Sequence, residues 1–198
     1  MIDRADRTYC SKILHVVQSL NFGGVEFHMK IIALNAGSSI FEHHICVISN
    51  GGVIADELIA TANPITVLNR HSLISSLSTI LALVRHIKAE RPAILHCHRA
   101  EANFYGLIAG AHCSVRVCIA EEIGFPNHSC MAQLIFRLVY RLADCVVAIS
   151  QAVKCKLISV HEIDGLAILD FKHLKPQKTL CNYWAHVRLR VKPILGIS

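Results

Sequence analysis

The sequence contains few charged residues: Asp, Glu, Lys and Arg together make up 17% of its 198 residues. Hydrophobic residues make up 53%. A chain of this composition can bury a sizeable core, which excludes intrinsic disorder over most of its length. The length suits one domain, or one domain with a tail. The net charge of +6 permits anionic partners without selecting one.

Long apolar runs and targeting signals are also missing. No stretch reaches the roughly 18 to 20 uninterrupted apolar residues of a transmembrane helix, and the nearest one, 73–84, is short and contains serines. Residues 1–7 are charged and no apolar segment follows them, so we expect no secretory signal peptide. The sequence therefore predicts a cytoplasmic protein.

The nine cysteines contain no CxxC pair. Several of them, including Cys46, Cys118 and Cys145, lie inside apolar runs, where thiols act as small hydrophobic groups. This pattern favours a reducing compartment over a disulfide framework.

Aromatic residues make up only 6% of the chain and do not alternate with basic residues, so we expect no nucleic-acid partner. Arg137, Arg141, Lys154 and Lys156 form a basic set on two predicted helices. Such a set could contact an anionic membrane surface, which would make the protein peripheral on the inner face of the membrane. A solvated positive face is the simpler interpretation.

Six apolar segments alternate with segments of helical periodicity. The alternation predicts an α/β fold: a single Rossmann-like three-layer domain with a mostly parallel six-stranded sheet and an irregular C-terminal tail. The predicted strands are 12–18, 42–49, 64–68, 93–98, 115–120 and 144–149, and the predicted helices are 24–35, 53–61, 72–90, 102–109, 130–142 and 150–160.

The pattern divides the chain into three parts. Residues 1–11 are a polar leader, and residues 12–164 form the predicted domain. Residues 165–198 contain six Lys or Arg, one acidic residue and two prolines, without sustained periodicity. We expect this basic tail to be loosely ordered.

A glycine pair, Gly23 and Gly24, lies between the first predicted strand and the first predicted helix. Glycine lets a ligand approach the backbone, and amides at the start of a helix favour an anion such as a diphosphate. The sequence matches neither GxGxxG nor a Walker A motif, so an ordinary tight turn is an equal alternative.

The segment His96-Cys97-His98 ends the fourth predicted strand and precedes Asn103. Strand alternation places both histidines on one face, and we expect His98 to project towards a cleft, where an imidazole could orient or deprotonate a hydroxyl group. A structural histidine is the alternative. A zinc site would need distant ligands such as His112, Cys113 or Cys118, and we expect no metal.

Glu121, Glu122 and Gly124 follow the fifth predicted strand, in a predicted polar loop over 121–129. Two acids at the carboxyl end of a strand are well placed to bind sugar hydroxyls or to act as a base. A solvated acidic loop is the alternative.

Three segments together resemble the amino-terminal domain of the family-4 glycosyltransferases, which have the GT-B fold. They are ILHVVQSLNFGGVE at 13–26, RPAILHCH at 91–98, similar to RPDVVHTH in the family, and LADCVVAISQAVK at 142–154, similar to ADxVVAVSxAV. Their order and spacing agree with the family over roughly residues 12–163.

The resemblance implies transfer of a sugar from a nucleotide-diphosphate sugar to a glycan or lipid-linked acceptor, with retention of configuration and no other cofactor. It implies that Gly23, Gly24 and Glu26 lie near the donor diphosphate and acceptor. It implies an acceptor side lined by His98, Asn103, Glu121, Glu122 and Gly124, with His98 and Glu122 as the candidates for catalysis.

Two departures from the family pattern change these expectations. Glu122 stands where many members have a histidine, and no donor-binding domain follows residue 164. We therefore expect an acceptor-side half in truncated form, inactive without a donor-domain partner chain, with apolar side chains exposed at the carboxyl ends of the strands. A non-catalytic binding module that keeps the fold is the alternative.

Overall fold

Seven parallel strands form one sheet in the order β3-β2-β1-β4-β5-β6-β7. The computed structural model describes residues 11–21, 23–36, 39, 41–60, 64–70, 76–125, 127–163 and 168–170. The strands are β1 (Lys12–Val17), β2 (Glu42–Val47), β3 (Ile65–Val67), β4 (Ile94–His98), β5 (Val117–Glu122), β6 (Cys145–Ala148) and β7 (Ile168–Asp170). The predicted α/β class and parallel sheet are confirmed.

Helices connect the strands and cover both faces of the sheet. They are α1 (Gly24–Asn35), α2 (Val53–Ala60), α3 (Leu77–Glu90), α4 (Ala100–His112), α5 (Cys130–Tyr140) and α6 (Gln151–Ser159). Helices α1 and α2 pack in one core cluster, and α3, α4 and α5 pack in another. Within the described residues, no helix combines the length and apolar character needed to cross a membrane.

The central strand β1 is buried on both faces. Leu14 and Val16 join the core under α3, α4 and α5, whereas Val17 joins the core under α1 and α2. A strand covered on both faces has a continuous apolar sequence, which explains why the sequence located β1 well.

The sheet contains one more strand than predicted. Strand β7 pairs with β6 in parallel and lies within the segment assigned to the tail. Its three residues are too few to produce a recognisable period, so no local pattern indicated it. The rest of the predicted tail, most of the predicted leader and the predicted start of α3 at residue 72 lie outside the described residues.

Strand β5 also extends further than predicted. Glu121 is paired in register with His98 of β4, and Glu122 with Ala148 of β6. The two acids therefore belong to a central strand, and the prediction that they lie in a polar loop is wrong. Polar side chains suggested a loop, but pairing on both sides holds this backbone in the sheet.

Helical periodicity over 130–142 predicts a buried stripe of Leu134, Ile135, Leu138 and Val139, but the buried face of α5 differs from it. Leu134 and Leu138 are 54% and 55% exposed, whereas Phe136 and Tyr140 are buried. Val139 is buried as predicted. The helix is apolar over more than half its circumference, and the larger aromatic side chains take the core positions.

The order of the strands places a crevice between β1 and β4. The chain moves from β1 outwards through β2 to β3, returns beside β1 as β4, and continues outwards in the opposite direction. Parallel α/β sheets bind ligands outside the carboxyl ends of the strands at such a reversal. The glycine pair follows β1, and His98 ends β4, so both lie at this reversal.

Candidate functional site

The glycine pair lies at the reversal point, at the start of α1. Both glycines are exposed, and the carbonyl of Gly23 accepts the first helical hydrogen bond, from Phe27 N at 3.0 Å. A Cβ on Gly23 would lie 2.5 Å from Oε2 of Glu26, so any other residue there would require the Glu26 carboxylate to move. A Cβ on Gly24 would meet nothing within 4 Å. Among the described residues, the start of α1 is thus exposed and open beside Gly24, as a ligand at a helix start would need.

Glu26 is buried, with 6% of its surface exposed, and its carboxylate folds against Gly23. A carboxylate in the first turn of a helix interacts favourably with the positive end of the helix dipole. The buried Glu26 side chain therefore packs against the glycine turn and supports its position.

His98 is completely buried, so the prediction that it projects into a cleft is wrong. Its Nε2 lies 3.1 Å from Nδ1 of His15, and its Nδ1 forms a short hydrogen bond with Oε2 of Glu121. Both ring nitrogens are thus engaged by protein atoms. His98 can position the end of β4, and its side chain is closed off from solvent at this edge.

A chain of hydrogen bonds continues from His98 across the sheet. Nε2 of His15 lies 3.0 Å from Nδ1 of His43, and Nε2 of His43 lies 2.9 Å from Oγ of Ser39. Burial lowers the pKa of His15 well below its usual value and lowers the pKa of His43 to about 4. Sequence reasoning missed both residues, although each occupies an inward position of a predicted strand.

Glu121 is buried beside His98. Burial by itself would raise the pKa of its carboxyl group, but the charge and hydrogen bond of His98 outweigh burial, and the net pKa is lowered. Oε1 of Glu121 is buried and has no hydrogen-bond partner among the described residues.

Glu122 lies on the opposite face from Glu121 and is held by two donors. Nδ2 of Asn103 donates to its Oε1 at 2.8 Å, and the hydroxyl of Tyr140 donates to the same oxygen at 2.5 Å. Burial raises the pKa of Glu122 to about 7 in spite of these hydrogen bonds. Asn103 also donates to the carbonyl of Glu121 at 3.1 Å, so it ties α4 to the end of β5.

Arg99 adopts a strained backbone conformation at the turn between β4 and α4. Its φ of 74° with ψ of 164° belongs to a region used almost only by glycine. Its N–H donates to the carbonyl of Glu121 at 2.9 Å, and its own carbonyl accepts from Asn103 N at 2.8 Å. Strain of this kind often marks functional turns, and no sequence pattern indicated it.

The carboxyl edge of the sheet brings the exposed candidates into one region. The ring centroid of His28 on α1 lies 6.3 Å from that of His98, which places the second turn of α1 beside the end of β4. Gly124 is exposed and a Cβ there would meet nothing within 4 Å. The predicted site residues therefore form two layers. The glycines are exposed at the edge, and the buried side chains of His98, Glu121 and Glu122 lie beneath it.

The distant zinc ligands considered from sequence do not join His98. His112 and Cys113 lie at the far end of α4, and Cys118 belongs to the core on the other face of the sheet. A groove lined by Lys88, Arg91 and Arg116 also lies at that opposite edge. The imidazole that approaches His98 across the sheet comes instead from β1, as His15.

The fold matches one half of several larger proteins of known structure. A glycosyltransferase from Rickettsia africae ESF-5 is 18% identical with a TM-score of 0.63, and the match covers 90% of this chain and 50% of that one. A protein of Anabaena in complex with UDP-glucose is 17% identical with a TM-score of 0.58, covering 88% and 50%. UDP-GlcNAc 2-epimerase from Neisseria meningitidis is 16% identical with a TM-score of 0.58, covering 81% and 45%.

The strand order, the glycine turn and these matches define the class: a Rossmann-like domain of the kind that forms one half of GT-B proteins. The chain spans about half the length of the solved structures that it matches. The model of Glycosyltransferase Family 4 matches residues 22–167, and the chain belongs to that family. No curated protein matches the sequence.

Proposed function

We propose that this chain is the acceptor-side half of a retaining glycosyltransferase that moves a sugar from a nucleotide-diphosphate sugar to a glycan or lipid-linked acceptor. The observation that carries the proposal is the exposed start of α1 at the reversal between β1 and β4, with open space beside Gly24. Family membership and the UDP-glucose bound to the Anabaena protein support a nucleotide-sugar donor.

In this proposal the exposed and buried residues have different roles. Gly23 and Gly24 bring the amides of α1 towards the donor diphosphate, and Glu26 holds that turn. Gly124 lies on the acceptor side at the end of β5. The supporting residues beneath the edge fix the ends of β4 and β5 without touching the sugar; they are His98, Asn103, Glu121 and Glu122.

We propose that a donor-binding domain forms the second half of the cleft. Large apolar side chains are exposed where the carboxyl edge would meet that domain: Val53 and Leu77 at helix starts are 64% and 66% exposed, and Phe125 in the loop after β5 is 65% exposed. This agrees with the apolar exposure expected there. Half a cleft does not hold donor and acceptor in reacting geometry, so the chain alone is inactive.

The test is a sugar-transfer assay with UDP- and GDP-sugars, with and without the donor-binding domain of a family-4 enzyme fused after residue 170. We expect transfer only from the fusion. Gly24→Leu fills the open space without a close contact to the rest of the chain, so it should reduce transfer by the fusion at least tenfold. Lys88→Ala, at the opposite edge, should not.

Two results would contradict the proposal. Robust transfer by the unfused chain would show that one half suffices. A fusion that folds and binds UDP through its donor domain but transfers no sugar to any of a panel of glycan and lipid-linked acceptors would favour the alternative, a non-catalytic binding module.

We also propose that the chain works in the cytoplasm and contacts the membrane through α5. Met131, Leu134 and Leu138 are exposed along one side of this helix, and Leu142 continues the line beyond its end. Arg141 is exposed next to them. An apolar stripe bordered by positive charge suits the interface of an anionic bilayer, where a lipid-linked acceptor would be found.

A further inference from the structure

Three histidines meet inside the sheet on the face away from α4. Strand alternation puts His96 and His98 on one face of β4, and the register between β1 and β4 sets His15 directly beside His96. All three side chains are completely buried. One ligating nitrogen from each lies within 4.8 Å of the other two.

Metal-binding histidines usually form a hydrogen bond through the ring nitrogen that does not bind the metal. His98 and His15 each have such a bond, through Nδ1 and Nε2 respectively. Nδ1 of His98 bonds to the carboxylate of Glu121, and Nε2 of His15 lies 3.0 Å from Nδ1 of His43, which in turn contacts Ser39. A carboxylate or another acceptor behind each imidazole fixes the orientation and tautomer of a ligand. Together with the two rings, this supporting arrangement extends over four strands: β2, β1, β4 and β5.

The remaining nitrogens of these two rings, Nδ1 of His15 and Nε2 of His98, face each other. Nε2 of His98 lies 3.1 Å from Nδ1 of His15, and Nδ1 of His98 bonds to Glu121 on the other side of the ring. Two nitrogens at that separation need either a proton or a cation between them. The distance is close to the spacing of about 3.3 Å that follows for two nitrogens each about 2.0 Å from a tetrahedral zinc ion.

We propose that His15, His96 and His98 bind one Zn²⁺, or a transition-metal ion of similar preference, within the sheet. Three imidazoles suit such ions, whereas Mg²⁺ and Ca²⁺ prefer oxygen ligands. The ion joins β1 to β4 beneath the glycine turn, and its role is structural because the ligands are shielded from solvent. The site is independent of sugar transfer and of the proposed second domain.

The test is a titration of the purified, chelator-treated chain with Zn²⁺ in competition with a chromophoric chelator, repeated with Co²⁺ to obtain a visible spectrum. We expect one tightly bound Zn²⁺ per chain, a rise in the thermal unfolding midpoint with Zn²⁺, and visible absorption bands of Co²⁺ bound to nitrogen ligands. These measurements use the unmodified chain and do not depend on a variant that folds.

Variants then locate the site. His15→Asn and His96→Gln should each weaken Zn²⁺ binding at least a hundredfold. Glu121→Gln changes a carboxylate that bonds to Nδ1 of His98 and lies 3.5 Å from Nε2 of His96, and it should weaken binding about ten- to a hundredfold. His112→Gln, at the exposed end of α4, is the matched control and should bind like the unmodified chain.

Three results would overturn the proposal. The first is no stoichiometric binding by the unmodified chain, which would leave the cluster as a hydrogen-bonded relay. The second is full binding by His15→Asn, with its fold confirmed by circular dichroism. The third is a thiolate charge-transfer band with Co²⁺, which would place the ion on cysteines such as Cys130 or Cys155, both exposed.

Discussion

The side chain of Glu122 is an acid whose surroundings favour its neutral form. It is 4% exposed and its pKa is raised to about 7, mainly by burial. Tyr140 and Asn103 donate to it, and the charges of His128 and Glu162 act on it from the loop before α5 and the segment after α6. A buried carboxyl group of this kind makes stability depend on pH.

We predict that Glu122→Gln removes the part of the pH dependence of stability that is due to this carboxyl group. The native pKa lies above the unfolded value, so the stability due to the protonated form is complete below about pH 4.5 and is lost as pH rises to about 7. At pH 8 the variant should be more stable than the unmodified chain by about 3 kcal/mol, and at pH 4.5 equally stable. Urea unfolding at both values measures the difference.

The amide that Glu122→Gln introduces would keep an acceptor for Tyr140 and Asn103, so the comparison isolates the charge. Glu57→Gln, on the exposed side of α2, is the control and should show no pH-dependent difference of this size. Equal stability of Glu122→Gln and the unmodified chain across this range would show that the carboxyl group is not kept neutral by burial.

At the scale of single elements, α4 packs against the sheet through glycines. A Cβ on Gly106 would overlap with Sγ of Cys97, and one on Gly110 would lie 2.6 Å from Cδ2 of Leu95 and 2.9 Å from Sγ of Cys118. Glycine weakens an isolated helix, so its presence at two inward positions indicates that close approach outweighs helix propensity here.

We predict that Gly106→Ala destabilises the protein by about 2 kcal/mol, because overpacking outweighs the gain of about 1 kcal/mol in helix propensity. Cys97→Ala removes the overlapping sulfur, so the double variant should be more stable than the sum of the two single changes predicts. A double-mutant cycle by chemical denaturation measures this coupling. Strict additivity would contradict the packing explanation.

The exposed stripe of α5 leads to a second prediction for an element. The chain should bind vesicles that contain phosphatidylglycerol more strongly than vesicles of phosphatidylcholine alone, and less strongly as salt rises. Leu134→Gln combined with Leu138→Gln should reduce binding several-fold, since both side chains are more than half exposed. Vesicle sedimentation provides the measurement.

Leu81→Gln is the matched control for α5, because Leu81 is 48% exposed on α3. If it lowers vesicle binding as much as the α5 variant does, the stripe is not the membrane contact. If the α5 variant changes the oligomeric state instead, the stripe covers a second copy of the chain.

For the molecule as a whole, the exposed apolar side chains at the carboxyl edge predict self-association. Val53, Leu77 and Phe125 expose apolar surface around one edge of the sheet, and burying such surface between copies is favourable. Sedimentation velocity should show an average mass that rises with concentration. Leu77→Ser with Phe125→Ser should suppress the rise, whereas Ile59→Ser, near the opposite end of α2, should not.

A monodisperse monomer at high concentration would contradict the prediction. Fusion to a donor-binding domain should have the same effect as the two serine substitutions, because the added domain covers the same edge. If the added domain and the two substitutions act alike, the apolar edge is the surface that meets the second half of the cleft.

The sequence by itself determined the fold class and the starts of α1, α2 and α5. Apolar strands alternating with periodic helices permit few arrangements other than a parallel sheet with right-handed connections. Ser129 and Ser150 accept hydrogen bonds from Ala132 N and Val153 N at the starts of α5 and α6, as the local sequence suggests. These features depend on residues close together in the chain, so local patterns can specify them.

Only the tertiary structure decided which strands are neighbours and which polar groups meet. His15 and His98 are 83 residues apart, and Glu121 becomes a buried strand residue because β4 and β6 pair on either side of it. The periodicity of a sequence predicts that a side chain faces the protein interior, but it does not predict which other side chains it contacts there. The glycine turn could therefore be predicted from the sequence, whereas the histidine cluster beneath it required the register of the sheet.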